Sequence, residues 1–203
     1  ERGNGQAMTR LGDMFRAGRG VASGAAEAMA WYRKAAGRGD AAAQFALGEM
    51  TRGGEGVKAD AAGGLDWYLK AAAQDHAGAA RQLGRAYEKG EGVAADSVDA
   101  YGWYAAASAL GEDEARRELD SLVLRMSPGE LERSHGRTAA AAAKGEVKAQ
   151  YQQGLVLEKG EGLRADPSGA VKIFRKAADG GLLAAQLKLG YIFYFGAEHL
   201  KAE

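Results

Sequence analysis

The sequence has no cysteine, only two prolines, no net charge and no long apolar run. Each absence closes off a class of function. Without Cys there is no disulfide framework, no thiol nucleophile and no Cys-ligated zinc. The compartment stays open, since a cysteine-free chain suits cytosol and periplasm alike. Lys plus Arg number 27, and so do Asp plus Glu. That balance removes the broad positive field that nucleic acid selects, so no nucleic-acid partner is expected. No apolar stretch reaches the roughly 18 residues of a membrane-spanning helix, and no membrane insertion is expected. No basic segment followed by an apolar one opens the chain. It begins at Glu1 rather than Met, which leads us to expect that an N-terminal segment has been removed.

What the sequence has in abundance is small residues. Ala and Gly together fill 76 of 203 positions. Gly does not fall at every third place, which excludes collagen. With 46% hydrophobic and 8% aromatic residues the chain is no disordered linker either. Small residues in a folded chain mean close backbone approach, and here they recur at fixed addresses. Leu11-Gly12 returns as Leu47-Gly48 and Leu83-Gly84, in steps of 36. The same step relates Gly18-x-Gly20-Val21 to Gly54-x-Gly56-Val57 and Gly90-x-Gly92-Val93. It also relates Trp31-Tyr32, Trp67-Tyr68 and Trp103-Tyr104. Lys34-Ala35-Ala36 and Lys70-Ala71-Ala72 recur likewise, degraded to Ala106-Ala107-Ser108 in the third copy. The phase resumes at Gly154, Gly160-x-Gly162-Leu163, Ile173-Phe174 and Lys176-Ala177-Ala178, and opens again at Leu189-Gly190. A fixed period of this length is the signature of a repeat architecture.

Within a unit the apolar period is helical. Ala43, Leu47, Met50 and Gly54 fall on one face of a first helix, which the glycines at 53, 54 and 56 then stop. Asp60, Asp96 and Asp166 are placed to cap second helices, with Pro167 at a first helical position. Gly64, Trp67, Tyr68 and Ala71 form the apolar stripe of the second helix, which predicts both aromatics in the core. Residues 112–145 are a degenerate unit: Asp120 replaces the glycine and no Gly loop follows. There Ser127-Pro128-Gly129-Glu130 predicts a capping box and a second helix ending near Gly145. The reading is one all-α solenoid domain, with units at about 4–39, 40–75, 76–111, 112–145, 146–181 and a partial 182–203.

The string Ala-x-x-x-Leu-Gly, Gly-x-Gly-Val, Asp, Ala-x-x-Trp-Tyr-x-Lys-Ala-Ala-x-x-Gly resembles the Sel1-like repeat, most clearly over residues 40–75. Tetratricopeptide repeats prefer 34 residues and lack the glycine loop. The resemblance implies a right-handed α/α superhelix of TPR-like helix pairs with first helices lining a concave face. It also implies an adaptor or scaffold role, often in bacteria and often exported. A periplasmic or otherwise exported location is therefore expected, with cytoplasm as the alternative. Some disulfide-rich bacterial relatives are linked to penicillin binding, and the absence of Cys keeps that property from carrying over. Thr51 and Leu157 stand where the family prefers the Tyr found at Tyr87, and Gly24 stands at the capping Asp position.

Chemistry is sparse. A phosphate cradle follows a strand and occurs once, whereas these Gly loops follow helices and recur, so they read as turns. His76, His135 and His199 are scattered without metal-ligand spacing. No Gly-x-Ser-x-Gly elbow is present. Glu55, Glu91 and Glu161 repeat inside the loops and read as solvated charge or local caps. No enzyme activity, metal or cofactor is expected. The variable first-helix positions carry the candidate site: Phe45, Arg81, Arg85, Tyr151, Leu155 and Tyr191, a Tyr, Phe and Arg set typical of protein interfaces. Phe45 and Leu187 have the alternative of packing on a neighbouring first helix. The expected function is binding a protein or peptide on the concave face, as an envelope scaffold or an effector-inhibiting immunity protein. The rival is a cell-wall or carbohydrate-directed enzyme or binder with a carboxylate-lined groove. The aromatic run from Leu189 to Phe195 opens a unit lacking its second helix, which points to truncation, self-association or a covering partner.

Overall fold

Helices and the turns between them account for the described residues, with no strand among them. The computed structural model describes residues 2–160 and 164–199, with side chains over 4–160 and 164–194. Glu161, Gly162, Leu163 and the His199 side chain lie outside the described residues. The first compact unit, residues 1–96, holds α1 (Arg2–Ala17), α2 (Ala25–Ala36), α3 (Ala41–Gly53), α4 (Ala61–Ala72) and α5 (Ala77–Lys89). The second, residues 97–203, holds α6 (Ser97–Ala109), α7 (Asp113–Val123), α8 (Pro128–Ala143), α9 (Val147–Lys159), α10 (Pro167–Asp179) and α11 (Leu183–His199).

Helix ends fall where the cap chemistry puts them. The Asp60 and Asp166 carboxylates accept from the backbone N–H groups of Gly63 and Gly169. Ser127 and Glu130 form the full capping box of α8. Gly54, at φ 77°, ends α3 in the left-handed region and donates its N–H to Met50 O. Asp40 caps α3 and also accepts from the Thr9 hydroxyl at 2.9 Å, which ties that cap to α1.

The recurring Gly and Tyr explain each other. Tyr32, Tyr68 and Phe174 are fully buried, and each ring packs directly against a glycine of the preceding first helix. A Cβ on Gly12, Gly48 or Gly154 would come within 2.5–2.6 Å of that ring. The pairs α1–α2, α3–α4 and α9–α10 pack tightly because nothing stands between ring and backbone. The tryptophans differ from expectation: Trp31, Trp67 and Trp103 are only half-buried. Lys34 and Lys70 lie over the first two rings, 4.4 and 4.2 Å from their centres. Consecutive residues on a helix point about 100° apart, so only one of each aromatic pair can face the core, and Tyr takes that place.

The degenerate unit has two helices, as expected, but they do not pack along one another. Asp120 replaces the glycine, and Ala139–Ala143 offer no ring to lay on it. Instead α6 packs against α7, α8 and α9. The loop carboxylate Glu55 is also more than solvated charge. It takes a bidentate pair from Arg16 at 2.8 and 2.7 Å, joining α1 to the loop between α3 and α4.

Candidate protein-binding surface

The six side chains singled out in the sequence divide three to each unit. In the first unit Phe45 on α3 stacks on His76, ring centres 4.6 Å apart, and tilts against Tyr68 at 5.8 Å. His76 itself caps α5, its Nδ1 accepting from Ala79 N–H at 3.2 Å. Phe45 is thus half-buried and partly structural, as the packing alternative allowed. Arg81 and Arg85, one turn apart on α5, are half-buried, and Arg81 Nε is fully enclosed. Their neighbours on α3 serve the core. Tyr68 donates its hydroxyl to Glu49 and accepts from Arg52 Nε at 3.2 Å. Burial first, then Glu49, pushes the Tyr68 phenol far above its ordinary range.

In the second unit a groove of 450 Å³ runs between α7, α9 and α11. Its floor includes Tyr151 and Leu155, and Leu187, Arg116, Glu158 and Lys188 stand along its edge. Lys188 Nζ meets Glu158 at 2.8 Å, while Arg116 and Lys159 share Asp120 at 3.3 and 3.1 Å. The rim therefore alternates in sign. Tyr151 packs on Phe174 with ring centres 5.6 Å apart. Burial raises the Tyr151 phenol pKa; the Arg116 charge works against that rise and Glu158 with it.

Leu155 requires a correction. It is 4% exposed and belongs to the core cluster of Ala170, Phe174 and Leu189, so it supports the groove rather than projecting from it. The equivalent first-helix positions carry the half-buried Glu49 and Arg85, whereas the aliphatic chain at this position is drawn fully into the core. Tyr191 and Leu187 are the projecting residues, 60% and 66% exposed and one turn apart on α11. Sequence reasoning missed Arg116, because α7 lies in the degenerate unit; its spacing of four from Asp120 was the available signal. It also missed Lys188, which the repeat pattern does not distinguish. Among the described residues no group of three or more His, Asp or Glu is arranged to hold a metal ion.

A rim of both charges over an aromatic and aliphatic floor has the character of a surface that binds another chain. Comparisons with known proteins agree with that character. The family model described as Sel1 repeat matches residues 5–40, 41–76, 77–112, 147–182 and 183–202, passing over the degenerate unit. No curated protein matches the chain. Among solved structures it is similar to a protective antigen present in uropathogenic Escherichia coli strains that displays an SLR fold. The identity is 29% and the TM-score 0.59, over 96% of this chain and 42% of that one. This chain therefore spans less than half the length of that relative. It is also similar to a Sel1 repeat protein from Oxalobacter formigenes, at 31% identity and TM-score 0.59, over 93% of this chain and 78% of that one. With these repeats over most of its length and this all-α helical repeat fold, the chain belongs to the Sel1 repeat family, whose members are generally non-catalytic protein–protein interaction modules.

Proposed function

We propose that the protein is a scaffold or adaptor that binds a protein or peptide along the first helices of its repeats. The observation that carries this is the groove between α7, α9 and α11, with Tyr151 and Leu155 in its floor and Leu187 projecting beside a rim of both charges. An apolar floor of this kind takes side-chain anchors, and the alternating rim sets register and excludes mismatched partners. Leu187 and Tyr191 extend the apolar strip along α11. In the first unit Phe45, Arg81 and Arg85 provide the corresponding aromatic and cationic positions on α3 and α5. The rival carbohydrate-directed reading calls for free, closely set carboxylates in a closed pocket. Three carboxylates line this groove, Glu112, Asp113 and Glu158, but the groove is open and Glu158 is engaged by Lys188, which favours the scaffold.

The test is capture from native lysate on the wild-type protein and on a Leu187→Asp, Tyr191→Ala variant. A partner recovered by the first and lost by the second, with circular dichroism unchanged, supports the reading. Equal recovery overturns it. Light scattering across a dilution series asks whether the same strip pairs two copies; a strictly monomeric species removes that version. An exported or periplasmic setting fits a family that includes a protective antigen, and fractionation finding the protein only in cytosol overturns it.

A further inference from the structure

Helix α11 has two unlike sides. Ala185, Leu189 and Ile192 turn inward, the last two packed with Leu155 and Phe174. Leu183, Leu187, Gly190 and Tyr194 recur at steps of four, three and four on the other side, and all four are exposed. In α3 and α9 the equivalent face is covered by the second helix of the pair. There a ring packs on the glycine and against the side chain three residues before it. Tyr68 sits on Gly48 beside Phe45, ring centres 5.8 Å apart, and Phe174 sits on Gly154 beside Tyr151, at 5.6 Å. Leu187 and Gly190 hold the same two places on α11. A Cβ on Gly48 or Gly154 would meet a ring carbon at 2.5 Å, whereas one on Gly190 would have no described atom within 4 Å. α11 thus repeats the ring seat with that face turned to solvent.

The molecule itself shows what covers such a face. The covering helices share one buried pattern of a small residue, a ring four later and an alanine three beyond it: Ala28-Tyr32-Ala35, Gly64-Tyr68-Ala71 and Ala170-Phe174-Ala177. The small residue lets the helices close up, since a Cβ on Gly64 would already stand 3.0 Å from the Arg52 Cβ and 3.1 Å from the Gly48 carbonyl oxygen. The residue after the seat glycine selects the ring. Asp13 and Glu49 accept from the hydroxyls of Tyr32 and Tyr68, whereas Leu155 packs with Phe174, which has none. On α11 that residue is Tyr191, not a carboxylate, so the seat matches Phe. We propose that α11 docks an amphipathic helix of a different protein, with small-x-x-x-Phe-x-x-Ala along its inner face and the ring seated on Gly190 beside Leu187. This continues the helix-pair interface that the chain forms three times. It names the partner for the α11 end of the surface proposed above and rests on that reading. A second copy has no such helix to lend. In α2, α4 and α10 the pattern is buried within the chain, and so are Ala100, Tyr104 and Ala107 of α6. The strip on α11 is uncharged, so close packing of apolar surface supplies the affinity.

The probe is a dye-labelled, C-terminally amidated peptide with the sequence of residues 166–179, which carries Ala170, Phe174 and Ala177. It is titrated with the full chain and followed by fluorescence anisotropy. Saturable binding is expected, with half-saturation on the order of 0.1–1 mM, because the short peptide must order its helix to bind. The peptide with Phe174→Ala is expected to bind about tenfold more weakly or worse, since the seated ring is the anchor. In the protein, Gly190→Leu places a side chain where the ring would lie. It is expected to abolish binding without lowering the melting temperature, because the position is exposed and helical. No saturable binding overturns the proposal, as does unaltered affinity for the Phe174→Ala peptide or for the Gly190→Leu protein. Light scattering on the protein alone is expected to show no species that Gly190→Leu removes; a dimer lost in that variant overturns the proposal by making the occupant a second copy. Equal capture by wild type and the Leu187→Asp, Tyr191→Ala variant removes the groove reading, whereas absent peptide binding removes only the docked helix.

Discussion

The Lys70 ammonium lies 4.2 Å from the centre of the Trp67 ring, on the outer side of α4, while the adjacent Tyr68 is wholly buried. The larger aromatic is therefore the less important one for stability. Tyr68→Ala removes a ring with no exposed area and is expected to cost about 3–5 kcal/mol. Trp67→Ala loses a half-buried face and a cation–π contact, roughly 1–2 kcal/mol. Urea denaturation of both variants checks the order, and equal midpoints would contradict the assignment.

Close approach of ring to backbone makes the sign of a Gly→Ala change diagnostic. In an exposed helix interior the substitution stabilises by about 0.5–1 kcal/mol, and Gly136, with open space around it, is expected to behave so. At Gly48 the new methyl would lie 2.5 Å from the Tyr68 ring. Gly48→Ala is expected to destabilise by roughly 1–3 kcal/mol, through displacement of that ring. Thermal melts of the two variants should move in opposite directions.

These pairs also show what could be read in the sequence. Gly12, Gly48 and Gly154 each precede their ring residue by 20 positions, so period, helix faces and caps all follow from local pattern. Which member of Trp67-Tyr68 faces inward does not, because both flank the same stripe. The lysine three residues after Trp31 and Trp67 was the usable hint. The packing of α6 against α7, α8 and α9 was equally hidden. It arises where Asp120 and a run of alanines remove the ring-on-glycine contact, and the response of neighbouring helices to a missing contact is a tertiary effect. The α7–α9–α11 groove was partly legible, since Tyr151 and Leu187 sit at variable first-helix positions, while the inward turn of Leu155 depended on Phe174 and Leu189.

Buried phenols give a spectroscopic check. Desolvation first, then an acidic neighbour (Asp13 for Tyr32, Glu49 for Tyr68), raises both pKa values above that of free tyrosine. A group whose folded pKa is raised stabilises the fold fully below its unfolded value, about 10, and loses that contribution as pH climbs beyond it. Absorbance at the phenolate band should therefore show Tyr32 and Tyr68 ionising only together with loss of helical signal. Ionisation of all tyrosines near the ordinary value in a folded protein would contradict this.

The Arg16–Glu55 bridge predicts an effect of opposite slope. The Arg16 hydrogen bond, then its charge, holds the Glu55 carboxyl below its usual range. A lowered pKa stabilises above the unfolded value, about 4.3, and that contribution fades as pH falls through the folded one. The pair is 35% and 44% exposed, so solvent screening limits it to about 1 kcal/mol or less. Glu55→Gln should therefore lower the melting temperature slightly at neutral pH. The difference should vanish below the carboxylate range and shrink with salt.

Leu155 and Leu187 separate support from contact within one groove. Leu155 is 4% exposed against Phe174, so Leu155→Ala is expected to cost about 2–5 kcal/mol. Leu187 is 66% exposed, and its truncation should leave stability within about 0.5 kcal/mol. Partner binding should invert that order when measured well below the melting transition. Leu187→Ala removes an anchor and weakens the complex, whereas Leu155→Ala weakens it mainly through the unfolded fraction and recovers on cooling. If Leu187→Ala bound as tightly as wild type, with the partner identified by capture, α11 would not form part of the contact.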